Sequence, residues 1–172
     1  MKNKFAIKKS QIQGLGAFAT QIIKKGELIY KVRGESISIE ELKKRYKKGT
    51  ERSSDPLQIK ESRYLDLYKP YVYMNHSCNP NSAIVKLNDL IAIKNIPTGK
   101  EITYDYSLTD WSEDKDWPGY ADWVMRCKCN SSVCRQKIRE FRFLHKHIQK
   151  KCIKQDMVPD YIVRKYKKNN VV

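Results

Sequence analysis

A run of seven polar, small or turn-forming residues concentrates hydrogen-bonding groups in the middle of the chain. It reads Asn75-His76-Ser77-Cys78-Asn79-Pro80-Asn81 and closely follows two aromatic residues, Tyr71 and Tyr73. Asparagine, histidine and serine together provide the donors and acceptors that a buried, shaped polar pocket requires. Because an apolar strand is predicted to lead straight into it, this run is more typical of a binding pocket than of a hydrophilic surface loop.

Two further motifs are weak evidence when each is taken alone. Gly14 and Gly16 flank Leu15, and glycines two apart let a loop pass close to a ligand because no Cβ blocks the approach. The motif lacks the third glycine of a dinucleotide-binding fingerprint, so by itself it is typical of an ordinary turn. Tyr104 and Tyr106 are two apart on a predicted strand and point to the same face, which by itself indicates core packing.

Three of the five cysteines lie close together, as Cys127, Cys129 and Cys134. In a protein made inside a cell, such a cluster favours a metal site over disulfides. A structural zinc site is tetrahedral and needs four ligands. His145 and Cys152, in the predicted tail helix or just after it, are candidates for the fourth.

The elements that must position these motifs are mostly short strands. Short β-like runs, broken by Gly, Pro and Asn, extend from Phe5 to about Thr103. Among them, a two-residue turn at Asn88-Asp89 should join strands at residues 83–87 and 90–93. Two more strands are predicted at residues 28–32 and 101–106.

Helices are predicted once within this region and again in the tail. The segment Ser38–Glu41 has the spacing of a capping box and should open a helix that Gly49 ends in a left-handed conformation. Apolar residues recur at helical spacing over residues 135–150, which predicts an amphipathic helix there and a short second helix after Pro159. The pattern is that of a mostly β core with a helical C-terminal appendage.

Composition limits the class of protein. At 172 residues the chain fits one domain plus an appendage, and a hydrophobic content of 40% is enough for a core. It shows neither the apolar stretch of a membrane helix nor a signal-peptide pattern after Met1. We therefore expect a soluble protein made inside a cell, with no membrane partner.

The net charge of +16 is unevenly distributed. Residues 135–172 hold 12 Lys/Arg against 3 Asp/Glu, whereas residues 101–122 hold seven acids against a single base, Lys115. The basic tail could lie on nucleic acid or another polyanion, and the acidic stretch could steer a Lys-rich peptide toward a nearby site. The alternative is a solvated surface without a charged partner.

Taken together and in this order, the motifs resemble the signature of SET-domain lysine methyltransferases. The resemblance covers roughly residues 5–135 and includes the cysteine trio, which is similar to that family's post-SET segment. It depends on Gly14-Leu15-Gly16, on the run from Asn75 to Asn81, and on Glu101-Ile102-Thr103-Tyr104-Asp105-Tyr106.

The resemblance implies a fold and a division of the chain. The fold would be mostly β, the β-clip or SET fold of short curled sheets with a pseudoknot, plus the helical C-terminal appendage. The SET core would occupy residues 1–110, with a variable insert at about 38–67. A post-SET zinc lid would follow at residues 111–135, and a basic helical tail at 136–172.

The resemblance also implies S-adenosylmethionine as the cofactor. Asn75 and His76 would hold its amino-acid and adenine portions. Many relatives carry an arginine where this chain has Val72, so Tyr71 or a lysine would contact the cofactor on that side. The segment Asn79–Asn81 would help form the knot-like crossing of two chain segments. The methionine and ribose end of the cofactor would lie against the main chain of Gln13, Gly14, Leu15 and Gly16.

Tyr106 corresponds to the family's catalytic tyrosine, and Tyr104 occupies a position where the family has Tyr or Phe. A Tyr there usually implies mono- or dimethylation, because its hydroxyl holds a water that competes for space in the lysine channel. Methyl transfer needs a neutral amine, and deprotonating a free lysine at pH 7 costs about 4.6 kcal/mol. An aromatic channel and the sulfonium charge both disfavour the ammonium. The channel wall or the cover of the adenine would come from Trp111, Trp117 or Trp123.

By the same resemblance, a structural Zn²⁺ would join Cys78 to the cysteine trio and tie the lid across the active site. Post-SET segments commonly have Gly after the second cysteine, and Asn130, which stands there in this chain, tolerates the same left-handed conformation. No cysteine-rich segment precedes the core. The core must therefore be self-sufficient or stabilised as a homodimer.

The sequence thus predicts an enzyme that transfers a methyl group from S-adenosylmethionine to a lysine side chain of a histone or another basic protein. The alternative is a catalytically silent module that binds the cofactor and contacts nucleic acid or chromatin through its basic tail. The protein would be intracellular. A histone substrate would place it in a nucleus or on chromatin, including those of a host, and another substrate in the cytoplasm.

Overall fold

The strands of the described residues form four small antiparallel sheets, and three α-helices accompany them. The structure is a computed structural model and describes residues 3–50, 55–111 and 124–170. The strands are β1 (Phe5–Lys9), β2 (Leu15–Ala19), β3 (Leu28–Lys31), β4 (Gly34–Ser38), β5 (Leu57–Lys60), β6 (Arg63–Leu67), β7 (Ser82–Val85), β8 (Asp89–Ala92), β9 (Glu101–Ile102), β10 (Met125–Arg126) and β11 (Lys137–Ile138). The helices are α1 (Ile39–Lys47), α2 (Lys146–Lys154) and α3 (Asp160–Asn169).

The sheets have the strand orders β1-β2-β9, β3-β8-β7, β4-β6-β5 and β10-β11. The first three bury one face each in a common apolar core, to which Ala17, Leu65 and Leu90 contribute from different sheets. The predicted mostly β core with a helical C-terminal part is therefore confirmed. No helix among these described residues has the length and hydropathy to cross a membrane.

Helix α1 begins and ends where the sequence predicts. The Ser38 hydroxyl accepts a hydrogen bond from the backbone N–H of Glu41 at 3.2 Å, and Gly49 has φ +69° just after the helix. Only half of the expected capping box forms, because the Glu41 carboxylate accepts from Arg45 instead. The buried face of α1 packs Leu42 against β4 and β6.

Three strand predictions were wrong in detail. The segment that leads into Asn75 is not a strand, because Tyr71–Tyr73 forms a 3₁₀ turn. Strands β7 and β8 are joined by a three-residue loop at 86–88, with Val85 opposite Asp89, rather than by a two-residue turn at Asn88-Asp89. The Asn88 side chain donates to the Val32 carbonyl at 2.8 Å, which holds this last loop residue beside the end of β3. The strand predicted at 101–106 ends at Ile102 and is followed by a 3₁₀ turn at Tyr106–Leu108.

The predicted helix at residues 135–150 was also wrong. Lys137–Ile138 forms a strand with β10, a 3₁₀ turn follows at Phe141–Phe143, and α2 begins only at Lys146. Gln136 has φ +61°, which no helix allows, and its carbonyl accepts from the lid residue Cys127 at 2.7 Å. The second helix, predicted after Pro159, is confirmed as α3.

The tail helices do not stand apart from the rest of the protein. They share a buried cluster with Leu108 and Trp111. The Tyr161 hydroxyl is hydrogen-bonded to the Thr109 carbonyl at 2.6 Å and to Gln58 Oε1 at 3.1 Å. Helix α3, Gln58 and Thr109 therefore meet in one buried polar contact.

Candidate active site and metal centre

A cleft of about 270 Å³ lies where the loop before β2 meets the segments around Asn75 and Tyr104. All the predicted cofactor and catalytic residues except Gly16 line it. They are Gln13, Gly14, Leu15, Tyr71, Asn75, His76, Tyr104 and Tyr106. Three separate regions of the sequence, 13–15, 71–76 and 104–106, thus contribute to one cavity.

The Asn75 side chain fixes the loop that forms one wall of this cleft. Its Nδ2 lies 3.2 Å from the Gln13 carbonyl oxygen, 3.0 Å from that of Leu15 and 2.8 Å from Glu101 Oε1. The Ser10 hydroxyl donates to the same carboxylate at 2.9 Å. Gly16 is needed because a Cβ there would overlap the Glu101 carboxylate. Glu101, which our sequence reasoning gave no role, therefore ties the loop to Asn75.

Residues 75–82 run alongside residues 101–104. The Asn81 amide donates to the Glu101 carbonyl at 2.7 Å and accepts from the Thr103 N–H at 2.9 Å. His76 and Tyr104 form a parallel bridge, and the Ser77 N–H donates to the Tyr104 carbonyl at 3.0 Å. These contacts satisfy the backbone of both segments and fix the start of the Tyr104–Tyr106 region against the cleft.

Tyr104 and Tyr106 pack together with their ring centroids 4.8 Å apart. The Tyr106 hydroxyl donates to the Met74 carbonyl at 2.6 Å, which fixes its position. Burial raises the pKa of both hydroxyls well above the ordinary value, and the Asp55 carboxylate adds to the effect. Both side chains are therefore neutral phenols at pH 7. They can accept or donate hydrogen bonds without bringing a charge into the cleft.

Of the three predicted tryptophans, Trp111 lies away from the cleft. It is 5% exposed and stacks on Phe141 in the tail cluster, with ring centroids 5.9 Å apart. Trp117 and Trp123 lie outside the described residues, as do most acids of the 101–122 stretch. Tyr30 is an aromatic residue that the sequence reasoning missed. Its ring centroid lies 5.0 Å from that of Tyr71. Burial of the Tyr30 hydroxyl is the main cause of its raised pKa, and the nearby Tyr104 adds a smaller effect.

Two cations from the lid also line the cleft. Arg126 and Lys128 flank Cys127 in the sequence and both contribute to the wall. The alternation of base and cysteine was a signal that the sequence reasoning left unused. Tyr71 or a lysine was expected to contact the cofactor on this side, because Val72 stands where many relatives carry an arginine. Both Tyr71 and Lys128 line the same cavity as Val72.

The sulfur atoms of Cys78, Cys127 and Cys129 lie within 4.8 Å of one another, and the Cys134 sulfur adjoins the last two. The sulfurs of Cys78 and Cys127 are 3.7 Å apart, and the thiol of Cys134 contacts those of Cys127 and Cys129. Two thiolates bound at about 2.3 Å to one tetrahedral zinc ion lie about 3.8 Å apart. Asn130, just after the second lid cysteine, has φ +49°, the left-handed conformation that the sequence predicts.

Each of the four sulfurs accepts a backbone N–H, as a negatively charged sulfur requires. The donor–acceptor pairs are Arg135 N to Cys78 at 3.4 Å, Cys129 N to Cys127 at 3.5 Å, Cys78 N to Cys129 at 3.5 Å and Gln136 N to Cys134 at 3.3 Å. Without a metal ion, burial raises the pKa of Cys78 to about 11 and also raises that of Cys127. Burial would raise the pKa of Cys129 too, but the amides of Cys78 and Ser131 lower it to about 7. The donor set fits a zinc ion that bridges the lid and the core.

The other candidate ligands differ in position. Cys152 is buried in the tail cluster, and His145 is an exposed residue whose ring contacts His147. His76 does approach the sulfurs, since its ring and those of Cys78, Cys127 and Cys129 have ligand atoms within 4.8 Å of one another. Its Nδ1 accepts from the Tyr106 N–H at 3.1 Å, so the neutral ring carries its proton on Nε2. That nitrogen is then a donor rather than a ligand.

A buried ion pair joins the lid to the tyrosine segment. Arg135 Nη2 lies 2.7 Å from Asp105 Oδ1 and 3.2 Å from the Ser107 hydroxyl. Asp105 is 4% exposed and also accepts from the Ser107 N–H at 3.0 Å. The pKa of His76 is lowered to about 4, mainly by burial. Asp105 opposes this effect and the Arg135 charge adds to it, so His76 is neutral at pH 7.

Comparison with known proteins agrees with this arrangement. The sequence model of the SET domain matches residues 14–107, more than half of the chain. The variant-silencing SET domain-containing protein of Plasmodium falciparum is 36% identical over 118 residues, which cover 59% of this chain and 5% of that protein. The H3 lysine-9 specific histone-lysine N-methyltransferase dim-5 of Neurospora crassa is 30% identical over 156 residues, which cover 72% of this chain and 47% of that protein. The chain therefore spans less than half the length of either relative.

The methyltransferase domain of the human histone-lysine N-methyltransferase SETMAR has the same fold, with a TM-score of 0.60 over 79% of this chain and 58% of that chain. Sequence identity in that comparison is 20%, so it concerns the fold alone. The predicted SET fold is thus confirmed. The motifs from Gly14 to Tyr106 lie within the matched region and surround a single cleft, and the chain belongs to the SET-domain family.

Proposed function

We propose that this chain is an S-adenosylmethionine-dependent protein-lysine N-methyltransferase. The observation that supports it most is the single cleft in which the loop at residues 13–15, Asn75, His76 and both tyrosines meet. Relatives whose names describe histone-lysine methyltransferases support a histone as substrate, and another basic protein is the alternative.

S-adenosylmethionine, when bound, supplies a methyl group on a sulfonium that an amine can attack. The main chain of the loop at 13–16 would contact the cofactor, and the Asn75 side chain fixes this loop. Arg126 and Lys128 provide positive charge in the same cleft for the cofactor's carboxylate. Tyr71 and His76 complete the wall.

Tyr106 and Tyr104 would act on the lysine by position. Their neutral, buried hydroxyls create a surrounding that disfavours an ammonium, which lowers the pKa of an incoming lysine. The Tyr106 hydroxyl, fixed by the Met74 carbonyl, would orient the amine lone pair toward the methyl group. The Tyr104 hydroxyl would hold a water beside the nitrogen, which favours mono- or dimethylation.

Cys78, Cys127, Cys129 and Cys134 would hold one structural Zn²⁺. The proposal is supported by the 3.7 Å separation of the first two sulfurs and by the amide donors to all four. The division into core (1–110, with the insert at about 38–67), lid (111–135) and tail (136–172) stays a proposal. Pairing of β10 with β11 runs across its boundary at residue 135.

The test is methyl transfer from labelled S-adenosylmethionine to core histones and basic bacterial proteins, with mass spectrometry of the products. Tyr106→Phe should abolish transfer while cofactor affinity stays within a few-fold, because it removes only the hydroxyl. Tyr104→Phe should raise the number of methyl groups added. Tyr68→Phe is the matched control, since Tyr68 is 55% exposed and is not among the residues that line the cleft. A fully active Tyr106→Phe enzyme would refute the assignment of the catalytic residue.

One observation favours a second activity, contact with nucleic acid through the tail. Phe143 is 45% exposed, and the guanidinium carbons of Arg139 and Arg142 lie 4.3 Å and 4.6 Å from its ring centroid. An exposed aromatic ring among cations is a platform on which bases stack. Binding of single-stranded DNA or RNA should weaken with salt and with Phe143→Ala, and unchanged affinity in that variant would refute this surface. If cofactor binding occurs without turnover, this contact is the activity of a silent module.

Location and assembly follow from the substrate and also stay proposals. A histone substrate would place the protein in a nucleus or on chromatin, its own or a host's, and another basic protein would place it in the cytoplasm. We also propose that the protein can form a homodimer. Sedimentation at two protein concentrations distinguishes a dimer from a monomer.

A further inference from the structure

We propose that the His76 side chain is a positioning residue that joins the thiolate cluster to the catalytic segment. In this role the imidazole holds Cys78 with one ring nitrogen and the backbone of Tyr106 with the other. The inference rests on the proposed zinc site and goes beyond the role in cofactor binding that the resemblance gives His76.

The two contacts of the ring define this role. Nδ1 lies 3.1 Å from the Tyr106 backbone nitrogen, and Nε2 lies 3.2 Å from Cys78 Sγ. The residue is 5% exposed, so water does not compete for either nitrogen. The ring also meets the Tyr106 ring edge-on, with centroids 5.4 Å apart. A single side chain thus touches a metal ligand and both the backbone and the ring of the proposed catalytic residue.

Only one tautomer satisfies both contacts. An N–H group can only donate, so Nδ1 must present its lone pair to it and the proton must lie on Nε2. A metal-bound cysteine sulfur is an acceptor, which matches a donor at Nε2. The opposite tautomer would direct Nδ1–H toward Asp105 Oδ1, 3.4 Å away, and leave the Tyr106 N–H without an acceptor. Asp105 already accepts from Arg135 and from the Ser107 N–H, so it does not require that proton.

This geometry predicts that the two nitrogens have separable functions. The Nε2–H orients Cys78 and stabilises the charge on its sulfur, so its loss should weaken metal binding. The Nδ1 lone pair holds the Tyr106 backbone, so its loss should lower kcat. Partners that orient a metal ligand commonly contribute about 10- to 100-fold in affinity or activity.

Glutamine and asparagine test the two nitrogens separately. His76→Gln places an amide N–H near the position of Nε2 and removes the acceptor of Nδ1. His76→Asn places an amide oxygen near the position of Nδ1 and removes the donor of Nε2. His147→Gln and His147→Asn are the controls, because His147 is an exposed residue of α2.

The experiment measures zinc affinity by competition with a chromogenic chelator, and kcat at saturating zinc and cofactor. In His76→Asn we expect zinc affinity to fall by about 10- to 100-fold, more than in His76→Gln. In His76→Gln we expect the larger loss of kcat. Parallel losses of both quantities in both variants, or no loss in either, would overturn the proposal, since a residue that only fills space predicts no such separation.

A measurement on the unaltered protein keeps the inference testable if the variants do not fold. The ¹⁵N shifts of the His76 ring in the zinc-loaded protein report which nitrogen carries the proton. A proton on Nε2 is expected, and a proton on Nδ1 would overturn the proposal. Absence of bound zinc from the purified protein would refute the metal site itself. Because zinc content is measured separately from the ring tautomer, the two failures can be distinguished.

Discussion

Replacing Arg135 with methionine should destabilise the protein, because it leaves the buried Asp105 carboxylate without its charged partner. The pair is separated by 2.7 Å, and the side chains are 21% and 5% exposed. The backbone N–H of Arg135, which donates to Cys78, is unaffected by the change. The substitution therefore tests the ion pair separately from the thiolate cluster.

The expected cost follows from the environment of the pair. Removing one partner of a fully buried ion pair costs about 3–5 kcal/mol. The Arg135 side chain retains some contact with water, and the Ser107 N–H still donates to Asp105, so we expect about 2–3 kcal/mol. For a protein of this size, that free energy corresponds to a decrease of about 4–12 °C in Tm.

The assay is urea unfolding of the zinc-loaded protein, with and without the substitution, at one pH and salt concentration. Asp105→Asn combined with Arg135→Met should cost less than Arg135→Met alone, because the uncompensated charge is then absent. Arg139→Met is the matched control, since Arg139 lies over the exposed Phe143 ring and should contribute less than about 1 kcal/mol. A loss below about 1 kcal/mol for Arg135→Met, together with additivity in the double variant, would refute the reasoning.

Three further predictions concern other parts of the protein. Burial raises the pKa of Asp110 to about 6, so the folded state binds a proton on this carboxyl more tightly than the unfolded state does. The protonated carboxyl therefore stabilises the fold below about pH 4, and this stabilisation is lost as the pH rises through 6. Between pH 4 and pH 7, the free energy of unfolding of Asp110→Asn should rise by up to about 3 kcal/mol relative to that of the unaltered protein, as measured by urea unfolding. A difference in unfolding free energy that does not change with pH would contradict this. Ser38→Ala should cost about 1 kcal/mol, because the N–H of Glu41 loses its acceptor, and a chemical denaturation midpoint that does not move would exclude that cap. Gly16→Ala should displace the Glu101 carboxylate and weaken S-adenosylmethionine binding by about tenfold, the equivalent of one hydrogen bond to a charged group, and equal affinities in calorimetry would show that the loop does not depend on it.

Local signals in the sequence predicted the features that depend on neighbouring residues. The cap at Ser38 and the left-handed Gly49 involve contacts within a few positions, and both are present in the structure. The run from Asn75 to Asn81 was identified by its residue types alone, and its first two residues, Asn75 and His76, line the cleft. Chemistry concentrated in a short segment is therefore visible in the sequence before the fold is known.

Features that depend on distant partners could not be predicted in this way. Ile138, Phe141 and Leu144 recur three apart and indicated a helix, yet they are buried from a strand, a 3₁₀ turn and the residue after it. Helical spacing does not distinguish these cases when pairing with another segment decides the backbone conformation. Likewise, the partners of Ser10 and Asp105 lie 91 and 30 residues away, and no periodic pattern connects them.

The contact of Tyr161 with Gln58 and Thr109 also bears on how the protein is made. Synthesis proceeds from the N-terminus at about 5–20 residues per second, and a domain folds once the segments that it requires have been released. The buried Gln58 amide and Thr109 carbonyl have their phenol partner only after Tyr161 has left the ribosome, 103 and 52 residues later than Gln58 and Thr109 themselves. Until then the Gln58 side chain and the Thr109 carbonyl lack this partner, and the apolar side chains of Leu108 and Trp111 are not yet covered by α3. We therefore expect a nascent chain that is halted before α3 to bind chaperones.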